Sequence, residues 1–358
     1  MKVAVVIDTW FPAIGGGQIN AWEISKRIAQ KGQEVDIITR NNGNYNQDTI
    51  KNLRIIQLGP KSNSDSNLSR IIFLIKTFFY IQNKDYDIIH LQAFLPGLLS
   101  PAIRYLLKNP TVFTIHGTRM FENSPKPSFG FWLEKIILTK IKYDAQISVT
   151  KAFLKFKNVN KNISYIPNGI DPQRFNKVKI QKAKYPKILW VGRLDPVKRV
   201  EDLLYAMQIL KKEVPDAKLT VVGYGRDEKK LKKIKKILKL TNVKFAGKKE
   251  GPDLIKEYKS AHLFVLPSTS EGQPLSILEA LACNLPIVAT KVGGITEIVK
   301  SNVDGILVLP HEPNKLAKAI SRVLKKENSF GSNRFNILKQ HNWGNVATTT
   351  LEAYTQLL

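Results

Sequence analysis

Residues 268–280 read STSEGQPLSILEA and follow a short apolar run at Leu263–Leu266. The run has the length and composition of a buried β-strand, and the polar loop after it leads into a stretch with helical spacing. Pro274 fits the first position of that helix, because its missing N–H would have no intrahelical partner there. The stretch therefore predicts a strand, a loop and a helix whose first amides, those of Leu275 and Ser276, can bind an anion.

Two acidic residues frame this predicted helix N-terminus. Glu271 lies in the loop, and Glu279 lies eight positions later, a little over one turn into the helix. Neither is a position where a core would hold a carboxylate, and each side chain can accept hydrogen bonds from neighbouring sugar hydroxyls. The alternative is structural, with Glu271 opposing the helix dipole and Glu279 on a solvated face.

Short β-branched runs alternate with helical stretches along all 358 residues. This alternation is typical of parallel sheets covered by helices, so we expect an α/β protein with two doubly wound units. The predicted strands are residues 3–7, 35–39, 55–58, 88–91, 112–115, 145–149, 163–166, 188–191, 219–222, 243–246, 263–266, 287–289 and 306–308. The clearest predicted helices are residues 18–30 and 131–141.

The chain length predicts two domains, at roughly 100 to 200 residues each. Residues 171–186 include two prolines and several lysines with little apolar periodicity, which is typical of an exposed connection. We therefore expect a first domain at residues 1–171 and a second at 172–344, with a ligand site in the cleft between them. Residues 345–358 form a predicted helix that either caps the second domain or crosses back to the first.

The composition excludes several kinds of protein. A single cysteine, Cys283, cannot form an internal disulfide or a thiolate zinc site, which favours a reducing, cytoplasmic compartment. The five histidines show no H-x-x-x-H spacing, so no metal site is predicted. The longest apolar run, residues 71–81, contains Lys76 and is shorter than the roughly 20 residues of a membrane span.

Basic residues outnumber acidic ones, with 56 Lys and Arg against 29 Asp and Glu and a formal net charge of +27. Such a charge attracts nucleic acid, anionic lipid surfaces and phosphorylated small molecules alike. Arg193 and Lys198 follow the predicted strand 188–191, where doubly wound sheets bind ligands, and their two cations suit a diphosphate. The alternative is that they are two ordinary surface cations.

Three consecutive glycines, residues 15–17, follow the first predicted strand and precede the helix near Gln18. Glycine lets a ligand approach the backbone, and helix N-terminal amides favour an anion; a plain tight turn is the alternative. The spacing is not G-x-G-x-x-G, and the second strand ends at Thr39 and Arg40 without an acid. Both features disfavour a nicotinamide dinucleotide site.

These motifs together resemble the retaining GT-B glycosyltransferases of family 4, with Glu271 and Glu279 matching the E-x7-E pattern. Further matches in family order are residues 15–17, 114–117, 167–171, 192–194 with Lys198, 222–225, and Gly293 and Gly294 before Glu297. The resemblance implies the GT-B fold, in which two doubly wound Rossmann-like domains face each other across a cleft. It also implies a retaining, metal-independent transfer of a hexose-type sugar from a nucleotide diphosphate sugar to a glycan or lipid-linked acceptor.

The resemblance further implies roles for individual positions. The implied donor-binding residues are Gly16, Gly17, Arg193, Lys198, Glu271, Leu275, Ser276 and Glu279, and the implied catalytic residues are His116 and Glu271. Within this set the two cations would hold the diphosphate, Glu279 the ribose and Glu271 the transferred sugar. The donor would be a UDP- or GDP-sugar, and no further cofactor and no metal are expected.

Two other functions remain open. One is a nucleotide-sugar epimerase of the same fold, against which the E-x7-E pair with Arg193 and Lys198 argues. The other is a basic nucleic-acid-binding protein, which predicts a recognisable cluster of basic and aromatic residues that the sequence lacks. We therefore expect no nucleic acid partner.

The excess charge is spread over both halves, +10 in residues 1–171 and +17 in the rest. This spread suits peripheral contact with an anionic membrane, on the inner face of the cell membrane. Residues 71–81 and 129–141 combine aromatic and aliphatic side chains with lysines and are candidates for contacting a lipid-linked acceptor. Packing in the core is the alternative use of both segments.

Overall fold

The computed structural model describes residues 1–11, 15–43, 50–61, 66–118, 129–325, 330 and 334–358. Within these ranges the chain forms two units, one of Met1–Gly169 with Trp343–Leu358 and the other of Ile170–Asn342. Both divisions lie two residues before the positions expected from the sequence. Each unit contains one parallel sheet covered by helices.

The first unit is built on a sheet of seven parallel strands among the described residues. They are β1 (Lys2–Ile7), β2 (Glu34–Arg40), β3 (Leu53–Leu58), β4 (Ile88–Gln92), β5 (Thr111–Ile115), β6 (Ala145–Ser148) and β7 (Ile163–Tyr165). Their order is β3-β2-β1-β4-β5-β6-β7, and the register pairs Val3 with both Val35 and Ile88. The central strands β1, β4 and β5 are buried almost throughout because helices cover both faces of the sheet.

Helices supply that cover. They are α1 (Gly16–Gln30), α2 (Asn67–Gln82), α3 (Phe94–Gly97), α4 (Ser100–Ala102) and α5 (Phe129–Thr139), with a π-helical turn at Ile103–Leu107 and a 3-10 turn at Lys151–Lys155. α1 buries Ala21, Ile24 and Ile28 at intervals of three and four, the spacing of one helix face. Ser66 caps α2 by accepting a hydrogen bond from the backbone N–H of Ser69.

The second unit contains a sheet of six parallel strands among the described residues. They are β8 (Lys187–Val191), β9 (Lys218–Val222), β10 (Val243–Phe245), β11 (Leu263–Leu266), β12 (Ile287–Thr290) and β13 (Gly305–Val308). Their order is β10-β9-β8-β11-β12-β13. Counted within the unit this is 3-2-1-4-5-6, the order of doubly wound nucleotide-binding sheets.

The helices of the second unit connect these strands. They are α6 (Pro172–Asn176), α7 (Val200–Leu210), α8 (Glu228–Ile237), α9 (Gly251–Ser260), α10 (Leu275–Ala282), α11 (Ile295–Ile298), α12 (Pro313–Leu324) and α13 (Arg334–Gln340), with a 3-10 turn at Pro196–Lys198. Residues 171–186, expected to be an exposed connection between the domains, include α6. Most of the segment is exposed, but buried Phe175 attaches α6 to this unit.

The last helix, α14 (Trp343–Thr355), belongs to the first unit and packs against α1. The buried hydroxyl of Tyr354 lies 2.5 Å from Nδ1 of His90 in β4. At the start of the helix, the Trp343 ring packs so closely on Gly169 that a Cβ there would lie 2.5 Å from it. Helix α14 is therefore part of the first unit.

The predicted strands are all observed, each with ends within two residues of those expected. The α/β class and the two doubly wound sheets are confirmed. Helix ends were predicted less well: α1 begins at Gly16 rather than Gln18, because only Gly15 keeps an extended backbone, and α5 ends at Thr139. Among the described residues, no helix is both long and apolar enough to cross a bilayer.

Candidate functional site

Each sheet has one point where the strand order reverses, between β1 and β4 in the first unit and between β8 and β11 in the second. Ligands of doubly wound sheets bind beyond the carboxyl ends of the strands at such a point. In the second unit, the loop after β8 carries Arg193 and Lys198, and the loop after β11 carries Glu271. The topology therefore brings the predicted donor-binding loops to one edge of one sheet.

Lys198 and Glu271 are direct partners at this edge. The Nζ atom of Lys198 lies 2.7 Å from Oε1 and 2.9 Å from Oε2 of Glu271. The hydroxyl of Ser268 donates to Oε1 of the same carboxylate at 2.6 Å, and Glu271 is only 7% exposed. The backbone N–H of Thr269 donates to the carbonyl of Val197 at 2.8 Å, which ties the two loops together. A buried carboxylate is thus held by a cation and a hydroxyl.

Glycines elsewhere in the second unit allow this close approach of loops. A Cβ on Gly223 would lie 1.8 Å from the carbonyl oxygen of Gly192, and Gly223 has a φ of 134°, which side chains rarely adopt. A Cβ on Gly293 would lie 2.0 Å from the carbonyl oxygen of Glu271, and the Gly294 N–H donates to that oxygen. These glycines, known from the sequence only as motif matches, hold the backbone of both loops in place.

Arg193 stands apart from the Lys198–Glu271 pair. Its guanidinium lies 3.2 Å from the carboxylate of Asp195, and its side chain is 60% exposed. Asp195 is also 3.8 Å from the guanidinium of Arg226. Among the described residues, no hydrogen bond or ion pair joins Arg193 to the other predicted donor-binding side chains. The structure places Arg193 on the same loop as Lys198, but the two cations have different carboxylate partners.

The carboxylate of Glu279 accepts a hydrogen bond from a residue that the sequence did not suggest. The hydroxyl of Tyr258, at the end of α9, donates to Oε2 of Glu279 at 2.7 Å, and Tyr258 is fully buried. Burial raises the pKa of Glu279, while the Tyr258 hydrogen bond and the charge of Arg174 act in the opposite direction. Tyr258 was missed because a tyrosine near a helix end carries no motif.

The helix that follows Glu271 begins one residue later than predicted. Pro274 is the N-cap of α10 rather than its first residue, because its ψ of 115° is extended. The backbone N–H groups of Leu275 and Ser276 are therefore the first two of α10 and have no acceptor within the helix. Leu275 is buried and Ser276 is half-buried, and both follow the loop that carries Glu271.

In the first unit, the predicted residues Gly16, Gly17 and His116 lie at the corresponding edge. Gly16 and Gly17 are the first residues of α1, and His116 directly follows β5. The imidazole packs on Gly17, where a Cβ would lie 3.3 Å from Cδ2 of His116. The structure therefore brings Gly17 and His116 together.

A chain of hydrogen bonds fixes the tautomer of His116. Its Nε2 lies 2.5 Å from Oε1 of Gln92, and because a carbonyl oxygen only accepts, Nε2 carries the proton. Burial lowers the pKa of His116 to about 4, so the ring is neutral and Nδ1 is an acceptor. Nδ1 is buried, and no hydrogen-bond donor reaches it from the described residues.

The chain of hydrogen bonds extends from Gln92 to helix α14. The amide nitrogen of Gln92 lies 3.4 Å from Nε2 of His90, and the hydroxyl of Thr114 lies 2.6 Å from the same atom. Nε2 of His90 therefore accepts, and Nδ1 donates to the hydroxyl of Tyr354. Burial, with a smaller effect of nearby His116, lowers the pKa of His90 to about 3. His90 is therefore a buried structural residue with hydrogen-bond partners at both ring nitrogens.

The described residues contain no group of three or more His, Cys, Asp or Glu side chains that could hold a metal ion. The groups available for an anionic ligand are instead two cations and the first amides of α10. The groups of the second unit that can accept hydrogen bonds from hydroxyls are two carboxylates, and the first unit separately offers Nδ1 of His116.

Two family descriptions match the chain and together cover nearly all of it. Glycosyltransferase Family 4 matches residues 14–174, and Glycosyl transferases group 1 matches residues 172–344. The chain belongs to the family 4 glycosyltransferases. The resemblance found in the sequence is confirmed, and the protein is an enzyme that transfers a sugar.

Relatives match the glycosyltransferase over most of its length. An uncharacterized glycosyltransferase of Methanocaldococcus jannaschii is 27% identical over 99% of this chain and 98% of its own. The N-acetyl-alpha-D-glucosaminyl L-malate synthase of Bacillus anthracis is 26% identical over 91% of this chain and 89% of its own. The UDP-Gal:alpha-D-GlcNAc-diphosphoundecaprenol alpha-1,3-galactosyltransferase of Escherichia coli is 25% identical over 90% of this chain and 88% of its own.

Solved structures of similar fold cover the glycosyltransferase equally well. The sucrose-phosphate synthase of Thermosynechococcus elongatus has a TM-score of 0.86 and 25% identity, covering 99% of this chain and 98% of its own. The HepE protein of Anabaena, solved in complex with UDP-glucose, has a TM-score of 0.77 and 16% identity. The match covers 99% of this chain and 100% of the HepE chain. The fold of the enzyme is GT-B, as the sequence resemblance implied.

Proposed function

We propose that the enzyme transfers a hexose-type sugar from a nucleotide diphosphate sugar to a glycan or lipid-linked acceptor, with retention of anomeric configuration. The observation that carries this proposal is the Lys198–Glu271 pair at the reversal point of the second sheet, directly before the start of α10. A cation, a carboxylate and the first amides of a helix, on loops at the carboxyl edge of one sheet, match the chemistry of such a donor, which joins a diphosphate to a polyhydroxyl sugar.

The diphosphate end of the donor is proposed to meet Lys198, Arg193 and the amides of Leu275 and Ser276. When the bond between the anomeric carbon and the diphosphate breaks, its electron pair leaves with the phosphate oxygen. Cations and helix amides stabilise the developing negative charge, so the reaction as proposed requires no metal and no cofactor. Arg193 is exposed, which leaves its guanidinium room to turn from Asp195 toward an anion.

The hydroxyl-bearing parts of the donor are proposed to meet the two glutamates. Tyr258 engages Oε2 of Glu279, so Oε1 remains to accept a hydrogen bond from the ribose. Glu271 already accepts from Lys198 and Ser268, and a carboxylate has about four lone-pair sites. It can therefore accept from a hydroxyl of the transferred sugar while its partners keep it in place.

His116 is proposed as the catalytic residue of the first unit. Its bare Nδ1 can accept a hydrogen bond from a hydroxyl of the donor sugar near the anomeric carbon. The acceptor oxygen is proposed to attack that carbon on the side that the diphosphate leaves, and its proton passes to the departing phosphate oxygen. Retention then follows without a covalent bond between the sugar and the enzyme.

The names of relatives guide the choice of substrates to test. The Anabaena structure contains UDP-glucose, and the Escherichia coli relative is named for UDP-galactose and a diphosphoundecaprenol-linked acceptor. We propose a UDP- or GDP-sugar as donor. For the acceptor, these names favour a glycan on a lipid carrier, reached by an enzyme in the cytoplasm that contacts the anionic inner face of the membrane. The net charge of +27 supports that contact.

The test is a screen of UDP- and GDP-sugars for thermal stabilisation and for donor hydrolysis. We expect one nucleotide sugar to raise the melting temperature saturably and to be hydrolysed slowly without an acceptor. Lys198→Ala should lose both responses, whereas Lys233→Ala, which removes an exposed lysine of α8, should keep them. Equal stabilisation of both variants would place the donor elsewhere.

Analysis of the sugar product separates this proposal from its competitors. An epimerase would return an isomerised sugar without a glycoside, and a nucleic-acid-binding protein would show no specific nucleotide sugar. Proton NMR of the first product formed should show the donor's anomeric configuration, and an inverted product would contradict the proposed retention.

A further inference from the structure

Helix α2 is apolar on two opposite sides. Its inner side buries Phe73 and Ile81 against the first sheet. Its outer side exposes Leu68, Ile71, Ile75 and Phe79 at intervals of three and four, and Phe79 is 56% exposed. A helix with apolar residues all round normally packs on both sides. We therefore expect the outer side of α2 to pack against a binding partner.

Two other segments on the same side of the first sheet also expose apolar side chains. The same buried cluster that contains Phe73 also contains Ile103 of the π-helical turn and Ile137 of α5, so all three segments cover one face of the first sheet. We call their exposed side chains the apolar face. Its members are Leu68, Ile71, Ile75, Phe79, Tyr105, Leu106, Trp132, Leu133 and Ile136. Large contiguous apolar patches on a protein surface mark interaction sites.

Cations accompany the apolar face, and exposed acids are missing from its segments. Lys76, Lys108 and Lys140 are exposed beside it, and Nζ of Lys135 lies 5.1 Å from the centre of the Trp132 ring. Residues 67–82, 100–108 and 129–140 contain one acid, Glu134. That residue is buried and accepts from the hydroxyl of Thr118 at 2.5 Å. The partner should therefore be apolar beneath a layer of negative charge.

We propose that the apolar face is the surface on which the enzyme docks to an anionic lipid bilayer. Aliphatic and aromatic side chains would enter the boundary between headgroups and acyl chains, and the lysines would meet lipid phosphates. A second copy docking through the same patch would instead bring these lysines against each other. The inference deepens the proposed membrane contact and rests on it, but it does not depend on the donor site.

The fluorescence of Trp132 can report on docking, because this side chain is half exposed while the other four tryptophans are more buried. We expect the purified full chain to sediment with mixed phosphatidylglycerol and phosphatidylcholine vesicles and much less with phosphatidylcholine alone. Binding should shift the tryptophan emission to shorter wavelength, and lipids brominated in the acyl chain should quench it. Trp132→Phe should keep most of the binding and lose the shift and the quenching.

Matched variants separate the apolar face from general charge. Ile71→Ser with Phe79→Ser should lower vesicle binding at least 100-fold, because both side chains are proposed to leave water on docking. Lys76→Gln with Lys140→Gln should lower it about 10- to 30-fold. Lys233→Gln with Lys236→Gln removes the same charge from α8 in the second unit and should leave binding nearly unchanged. All substituted residues are exposed, so the melting temperature should stay constant.

Three results would overturn the inference. One is equal loss of binding in the α8 control and in the variants of the apolar face. Another is absence of Trp132 quenching in vesicle-bound protein. The third is sedimentation equilibrium showing a dimer or larger oligomer that Ile71→Ser with Phe79→Ser dissociates, which would assign the face to a second copy. Donor hydrolysis, measured in the same samples without vesicles, reports on the donor site separately from any of these outcomes.

Discussion

The Nε2–H group of His116 donates a hydrogen bond to Oε1 of Gln92, with 2.5 Å between Nε2 and Oε1. Gln92 is fully buried at the end of β4, so it fixes both the orientation and the tautomer of the imidazole. The consequence is a buried Nδ1 that can only accept. Gln92 is thus a positioning residue for the proposed catalytic histidine.

Replacing Gln92 with Met should remove this constraint while nearly keeping the side-chain volume. We expect kcat to fall about 10- to 100-fold, the usual cost of losing the partner that orients a functional histidine. The donor KM should change little, since Gln92 is not among the groups proposed to bind the diphosphate. Steady-state kinetics at saturating acceptor measure both constants. A rise in KM with an unchanged kcat would assign Gln92 to donor binding instead.

The low pKa values of His116 and His90 predict a loss of stability in mild acid. Burial lowers them to about 4 and about 3, below the ordinary value of 6.5 that the unfolded chain recovers. Between those limits the unfolded state binds more protons, so the free energy of unfolding falls as the pH drops below 6.5. From pH 7 to 5.5 we expect a loss of about 1 kcal/mol per histidine.

Urea unfolding at pH 7 and at pH 5.5 measures this loss of stability. A probe in the first unit should report the unfolding transition. His116→Gln should reduce the difference between pH 7 and 5.5 by about 1 kcal/mol. If the difference is the same in this variant and in the unaltered chain, His116 is not held in its neutral form by the fold.

The sequence revealed the strands and some of the site but not its internal pairing. The apolar runs of β8 and β11 were visible because parallel strands are buried on both faces. The contact between Lys198 and Glu271 was not, since it joins loops 73 positions apart. Both residues were assigned separately, one to the diphosphate and one to the sugar, and those roles remain predictions.

Residues that support the site left no pattern at all. Tyr258 orients Glu279, and Gln92 orients His116, through side-chain hydrogen bonds, and such bonds have no sequence period. The outer side of α2 was ambiguous for a different reason. Residues 71–81 are apolar on both helix faces, so periodicity alone could not say that Phe73 points inward and Phe79 outward.

Removing Lys198 should abolish transfer and also weaken the fold. Glu271 is only 7% exposed, so Lys198→Ala leaves a nearly buried carboxylate with Ser268 as its remaining described partner. We expect a loss of about 1 to 3 kcal/mol in the free energy of unfolding, less than for a fully buried pair because Lys198 is partly solvated. The variant should stay folded, and Glu271→Ala should likewise abolish transfer in a folded protein.

Calorimetry and transfer assays on the same preparations check both parts. Lys198→Met with Glu271→Gln, which removes both charges, should recover much of the lost stability and none of the activity. Wild-type-like turnover by folded Lys198→Ala or Glu271→Ala protein would reject the proposed donor site.

Tyr258→Phe tests whether Glu279 binds the donor through an oriented carboxylate. Losing a buried hydrogen bond to a charged group costs about 1 to 3 kcal/mol, so the donor KM should rise about 10-fold or more while kcat changes little. The Tyr258 hydrogen bond lowers the pKa of Glu279, which burial raises, so the variant carboxyl should also protonate more readily. The rise in donor KM should therefore be larger at pH 5.5 than at pH 8. A rise that is independent of pH would show that Tyr258 acts by packing rather than by holding the charged form of Glu279.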